Sequence, residues 1–191
     1  MKKWKKIRTI ESHDYDGYYR VEKDKVITPG GKPGRYSVIQ GASFSIIMPI
    51  DSAGNIWMVR QHRYPIDKIS LEFPAGDMDG ENPILAAKRE LEEETSLISK
   101  DWFETGYFYT QIGVSSAKAY SFVAHNVKKI DNPRKDPMDK DVFKIEKYSI
   151  SQIKKMITNN EITDGPTISA FVLALFQGEL NRYEKSNRKK D

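Results

Sequence analysis

The sequence predicts an α+β protein in which a mixed sheet is flanked by helices and preceded by a small antiparallel β unit. Three observations predict it. Short β-prone runs alternate with turn signals up to about Gln40. A capped amphipathic helix then interrupts a second series of strands, and further helical segments follow the last of them. At 191 residues with 38% hydrophobic content, the chain can fill one main core and carry a small appendage.

Taken in order, WKKIRTI, YYRVEKDKVI and RYSVIQ are strand-like and are separated by the turn signals HDYDG and TPGGKPG. A soft boundary near Gly41 divides an N-terminal β unit, residues 1–41, from a main domain, residues 42–191. ASFSIIMPI and IWMVRQHRY flank DSAGN and read as a hairpin. LEF is a short strand ending at Pro74-Ala75-Gly76. WFETGYFYTQ and KAYSFVAHNV are two more strands joined through IGVSS, and DNPRKDPMDKD is a polar, proline-bearing loop. VFKIEKYS is a further strand, SISQIKKMITN a short amphipathic helix, and TDGPTISAFVLALFQGEL a longer one, capped at Thr163 or Asp164 with Pro166 in its first turn.

Composition removes several kinds of chemistry. Cysteine is absent, so disulfides, thiolate metal sites and cysteine nucleophiles are excluded, and any metal must sit on oxygen or nitrogen. The opening MKKWKKIRTI has no apolar run, and no later window approaches a membrane span, so a cytoplasmic protein without a membrane partner is expected. The formal charge is +4, and the basic clusters KKWKK and NRKK read as solvated termini rather than nucleic-acid contacts.

The chemistry concentrates in GDMDGENPILAAKRELEEETSL, from Gly76 to Leu97. Asn82 is a good N-cap and Pro83 suits the first helical position, so a helix starts there. Ile84, Ala87 and Leu91 fall on one core-facing stripe. Glu90, Glu93 and Glu94 share a neighbouring arc, while Glu92 points to the other side. Clustered carboxylates near a helix C-terminus repel each other and oppose the macrodipole, at roughly 0.3–1 kcal/mol for each exposed clash. Something must compensate. Lys88 and Arg89 pair with Glu92 and Glu93 in the less favourable order, whereas a hard divalent cation takes carboxylates, waters and phosphates directly.

The ordered context resembles the Nudix box: Glu81, seven residues, Arg89-Glu90-Leu91-Glu92-Glu93-Glu94-Thr95, then Leu97. Two departures stand out: four residues separate Gly76 from Glu81, and Ser96 replaces the second glycine. Neither removes a carboxylate. The resemblance implies a Nudix-type α/β/α sandwich and hydrolysis of a nucleoside diphosphate linked to another moiety, with Mg²⁺ (or Mn²⁺) held by Glu90, Glu93, Glu94 and the Ala75 carbonyl. Arg89 and Glu81 would form a structural ion pair.

VRQHRYP and LEFPAG, upstream of the box, are similar to the branch that cleaves ADP-ribose and related nucleotide sugars. That likeness implies a homodimer and places Arg60, Arg63 and Glu72 on the substrate. A guanidinium fork matches phosphate oxygens, although strand alternation puts only one of the two arginines on the site side. Tyr18, Tyr19 and Tyr36 in the N-terminal unit are base-stacking candidates or cross-strand packing residues. His62 and Ser115-Ser116 read as structural. For the general base the choice stands between Glu93 and the aspartates of DPMDKD, Asp136, Asp139 and Asp141. An isopentenyl diphosphate isomerase is excluded for want of a cysteine; an RNA-end or dinucleotide hydrolase and a non-catalytic regulator remain the alternatives.

Overall fold

The computed structural model describes residues 2–17, 19–134 and 142–183. Asp136, Asp139 and Asp141 therefore lie outside the described residues, as does Tyr18. Two units are present. One comprises Met1–Ser43 with Tyr109–Lys118, and the other Phe44–Phe108 with Ala119–Asp191.

In the first unit, β1 (Lys5–Tyr15), β2 (Tyr19–Ile27) and β3 (Pro33–Gly41) form an antiparallel sheet in the order β1-β2-β3. HDYDG is shorter as a turn than its composition predicts. β1 runs on through His13 to Tyr15, and the reversal begins at Asp16 and Gly17, with φ of 56° and 77°. The connector read as IGVSS joins this unit: the Ile39 N–H donates to the Val114 carbonyl at 2.7 Å, and the Tyr36 hydroxyl to the Gly113 carbonyl at 2.7 Å.

The second unit contains β4 (Phe44–Pro49), β5 (Asn55–Arg63), a 3₁₀ turn (Tyr64–Ile66), β6 (Lys68–Glu72), β7 (Ala75–Asp77), α1 (Pro83–Thr95) and β8 (Leu97–Ile98). β9 (Asp101–Tyr109), β10 (Lys118–His125), β11 (Lys128–Lys129), β12 (Val142–Ser149), α2 (Ile150–Thr158) and α3 (Gly165–Phe176) follow, with Tyr109 of β9 and Lys118 of β10 belonging to the first unit. One sheet runs β7-β4-β10-β9, with β4 parallel to β10 and antiparallel to β7; another runs β12-β5-β6 and is antiparallel. The predicted β4–β5 hairpin is thus corrected. The chain does reverse at Asp51–Asn55, where the Gly54 N–H donates to Asp51 at 2.9 Å, but the two strands enter different sheets.

The physical reason lies in β4, which is buried on both faces. Ile46 and Met48 pack in a cluster with Ile150, Ile153, Phe171 and Ala174 of α2 and α3, while Ile47 packs with Ala87 and Leu91 of α1. β10 divides in the same way, with Val123 in the first cluster and Phe122 in the second. A strand covered by helices on both sides reads as a continuous apolar run, which by itself does not reveal its neighbours. The result is a sheet between helical layers, with α1 on one side and α2 and α3 on the other. Ser149 and Gln152 form a capping box for α2, and the Asp164 side chain accepts the Thr167 N–H of α3 at 2.8 Å.

Candidate active site

Pro74 cannot continue the β6 ladder, and at this point the chain leaves one sheet for the other. β6 ends at Glu72, the Pro74 carbonyl accepts the Ile47 N–H at 2.9 Å, and Ala75 begins β7 beside β4. That shift lays Ala75 and Gly76 against the carboxylates of α1. The Ala75 N–H donates to Glu94 at 3.0 Å, and Glu90 lies so near Gly76 that a Cβ there would fall 2.1 Å from its carboxyl carbon.

The helix that presents these groups forms as its sequence dictates. Asn82 accepts the Ile84 N–H at 3.2 Å, Pro83 opens the first turn, and Ala86, Ala87 and Leu91 are fully buried. Ser96 ends it in the left-handed region, φ 59° and ψ 26°, where the box pattern has glycine. Arg89 binds loop to helix: its Nε contacts Glu81 at 3.3 Å, Nη2 donates to the Asp77 carbonyl at 2.8 Å, and Nη1 is shared by Glu90 and Glu93, the latter at 3.1 Å. Burial works against the Arg89 charge, but Glu90, Glu93 and Glu81 outweigh it and raise its pKa well above the usual value. Burial, reinforced by Asp79, pushes the Asp77 carboxyl up. Glu92 does point elsewhere, accepting the Arg134 N–H at 2.7 Å. The acidic helix end is therefore compensated group by group.

Arg60 and Arg63 separate as strand alternation requires. Arg63 shares a face with Gln61 and with the buried Glu72, which accepts from Arg63 Nε at 2.9 Å and from Gln61 at 3.2 Å. Bonding to Glu72 raises the Arg63 pKa, with Asp164 and Glu94 adding to it. Burial, with Glu72 as a further contributor, pushes Asp164 up. Arg60 faces the other way, onto Glu146 and the Tyr148 hydroxyl, and the hydrogen bonds from Lys144 and Arg60 hold Glu146 at about 2.

Tyr19 and Tyr36 lie on opposite faces of the β1-β2-β3 sheet. Tyr19 stacks on Tyr15 at 5.1 Å, and Tyr36 meets Trp4 edge-on at 5.2 Å. His62 pairs with Asp67 at 3.1 Å. The sequence assigns no site role to Asp77, Asp79 or Gln61, and it marks Asp164 as a helix cap alone. The acids of GDMDGE were in view, but nothing in a loop sequence indicates which of them turns toward Arg89.

A NUDIX domain is matched over residues 40–171, more than half of the chain. The chain belongs to the Nudix family. This Nudix protein is 28% identical over 149 residues to an ADP-ribose pyrophosphatase of Bacillus subtilis (strain 168), a match covering 77% of this chain and 80% of that protein. It is also 28% identical over 152 residues to a methanol dehydrogenase activator of Bacillus methanolicus, covering 79% and 82%. Among solved structures, the crystal structure of an ADP compounds hydrolase aligns with a TM-score of 0.81 over 96% of this chain and 98% of that one, at 15% identity, which shows a common fold. The chain is a Nudix hydrolase with the α+β Nudix fold.

Nudix hydrolases generally use divalent metal ions. The donor chemistry here fits such an ion, since Glu90, Glu93, Glu94 and the Ala75 carbonyl are all hard oxygen ligands. Gly76 leaves the space in which Glu90 meets the loop. Among the described residues no three acidic or histidine side chains form a ready ligand cluster, and Arg89 Nη1 holds two of the box carboxylates.

Proposed function

We propose that this Nudix hydrolase cleaves the diphosphate of ADP-ribose or a related nucleotide sugar to a nucleoside monophosphate and a sugar phosphate, in a reaction that depends on Mg²⁺ or Mn²⁺. The observation that carries the reading is the meeting of Glu90 and Glu94 with the Ala75-Gly76 backbone, with Glu93 joined to Glu90 through Arg89. The name of the Bacillus subtilis relative supports the substrate. Glu90, Glu93, Glu94 and the Ala75 carbonyl would hold the metal, which when bound supplies charge neutralisation and an acidified water.

The chain's own residues do the rest. Glu72 fixes Arg63 through Nε and Nη2, leaving Nη1 of its fork for a phosphate oxygen. Arg60, turned to Glu146, is not proposed for that role. The proton acceptor is Glu93 or one of Asp139 and Asp141, and separate neutralisation of each tells them apart. Tyr36 is proposed as an aromatic contact for the base, and the N-terminal β unit is proposed to form a homodimer. A cytoplasmic location accompanies this reading; no helix of the described residues is long and apolar enough to cross a membrane.

A phosphatase-coupled phosphate-release screen with Mg²⁺ and Mn²⁺ tests the proposal. ADP-ribose or another nucleotide sugar should be the best substrate. Turnover only on dinucleotides or capped RNA would move the chain to another Nudix branch. Saturable binding of ADP-ribose with no turnover would favour a regulator, the reading closer to the activator among its relatives.

A further inference from the structure

We propose that one face of the N-terminal β-sheet is a binding surface for single-stranded nucleic acid, independent of the hydrolase site. Residues 1–43 carry ten lysines and arginines against five acids, a net +5 that exceeds the +4 of the whole chain. The sheet distributes this charge unevenly. Arg8, Lys25 and Arg35 stand directly opposite one another across β1, β2 and β3, and all three are exposed. Like charges placed so are destabilising, and none of the three has an acidic partner among the described residues.

Elsewhere the same sheet pairs its charges across strands. Lys23 meets Glu11 at 3.0 Å in the next row, Lys6 meets Asp24 at 3.0 Å, and Arg20 meets Asp14 at 3.3 Å. The cationic row is the exception, and an anionic partner explains it. Strand spacing of about 4.8 Å gives the row a width of roughly 10 Å.

A second observation names the kind of anion. Alternate residues of β2 share one face, so Lys25, Lys23, Val21 and Tyr19 point the same way. Tyr19 stands opposite Tyr15 on that face; the two rings stack at 5.1 Å with 24° between planes and are 44% and 49% exposed. The buried Asp24 and Val26 belong to the opposite face, so this one is open. Lys25 lies six positions beyond Tyr19, or about 20 Å along the strand. Exposed rings at one end and unpaired cations at the other suit a strand whose bases are free to stack and whose phosphates are spaced along it. A duplex, an acidic protein or an anionic membrane would use the cations and leave the tyrosines idle.

The test uses the full chain in EDTA, so that metal-dependent hydrolysis is silent, and a fluorescein-labelled oligouridylate of about 12 nucleotides, within the range bound by single-strand-binding folds. Fluorescence anisotropy should show saturable binding with a log–log salt slope of about −2, from three phosphates at about 0.7 each. Lys25→Gln with Arg35→Gln should weaken it at least tenfold and reduce the slope by about 1.4. Tyr19→Leu should weaken it at least about fivefold and leave the slope unchanged. Lys25→Gln alone should melt no lower than the parent, since it relieves repulsion, which separates lost binding from lost folding. Excess ADP-ribose should not displace the oligonucleotide. The proposal is overturned by an absence of saturable binding, by equal affinity for duplex with no effect of Tyr19→Leu, or by displacement with ADP-ribose, which would put the oligonucleotide in the hydrolase site.

Discussion

Gly76 has no room for one more carbon, because a Cβ there would fall 2.1–2.3 Å from the Glu90 carboxylate. The obstacle is the end of a flexible side chain, so Glu90 would swing aside at small cost. Gly76→Ala should therefore melt close to the parent while losing at least about tenfold in activity, about 1.4 kcal/mol of transition-state stabilisation; an unchanged rate would remove Glu90 from the reaction. The adjacent pair Glu92 and Glu93 makes a sharper comparison. The Glu93 side chain is nearly buried and tied to Arg89, whereas the partly exposed Glu92 accepts the backbone N–H of Arg134. Glu93→Gln should lower the rate at least about a hundredfold, roughly 2.7 kcal/mol. Glu92→Gln should be nearly silent. Equal small effects, with equal Mg²⁺-dependent thermal shifts, would reduce the cluster to a solvated face.

At the scale of the element, α1 shows how much a helix declares in its own sequence. Its start was readable from Asn82-Pro83, its core stripe from Ala87 and Leu91, and its stop from Ser96 at the glycine position of the box. These signals are local: a cap, a missing N–H and a periodicity act within a turn or two. Ser96 sits at φ 59°, a region that costs a residue with a Cβ about 1 kcal/mol. Ser96→Gly should raise stability by up to that amount, partly offset by glycine's extra freedom in the unfolded chain, and so raise Tm by about 2–4 °C at most. A lower Tm in a thermal melt would show that Ser96 stabilises the end of the helix in some other way. β4 declares less. Its apolar run was legible as a strand, but its pairing with β10 and β7 was not, because a strand covered on both faces carries no alternation to orient it.

For the whole molecule, the N-terminal sheet poses the main question of assembly. Of its three strands only Asp24 and Val26 are buried, while Trp4 and Ile7 remain about half exposed, so the sheet has little core of its own. Light scattering at micromolar concentration should give twice the 22.0 kDa chain mass; a clean monomer would end the dimer proposal. By itself the sequence determined the α+β class, the order of most elements, the capped acidic helix and the Glu81–Arg89 pair, since all of these rest on short-range periodicity, capping chemistry and a motif in fixed register. Only the tertiary structure decided that β4 and β5 part into different sheets, that Arg63 rather than Arg60 joins Glu72, and that Asp77 and Asp164 enter the site. It also closed the buried set of His125, Glu179 and Tyr183, whose contacts at 2.9 Å span more than fifty residues of chain. Such contacts depend on which surfaces the packed layers bring together, and a pairing energy that arises only after the chain has folded leaves no periodic trace in the order of its residues.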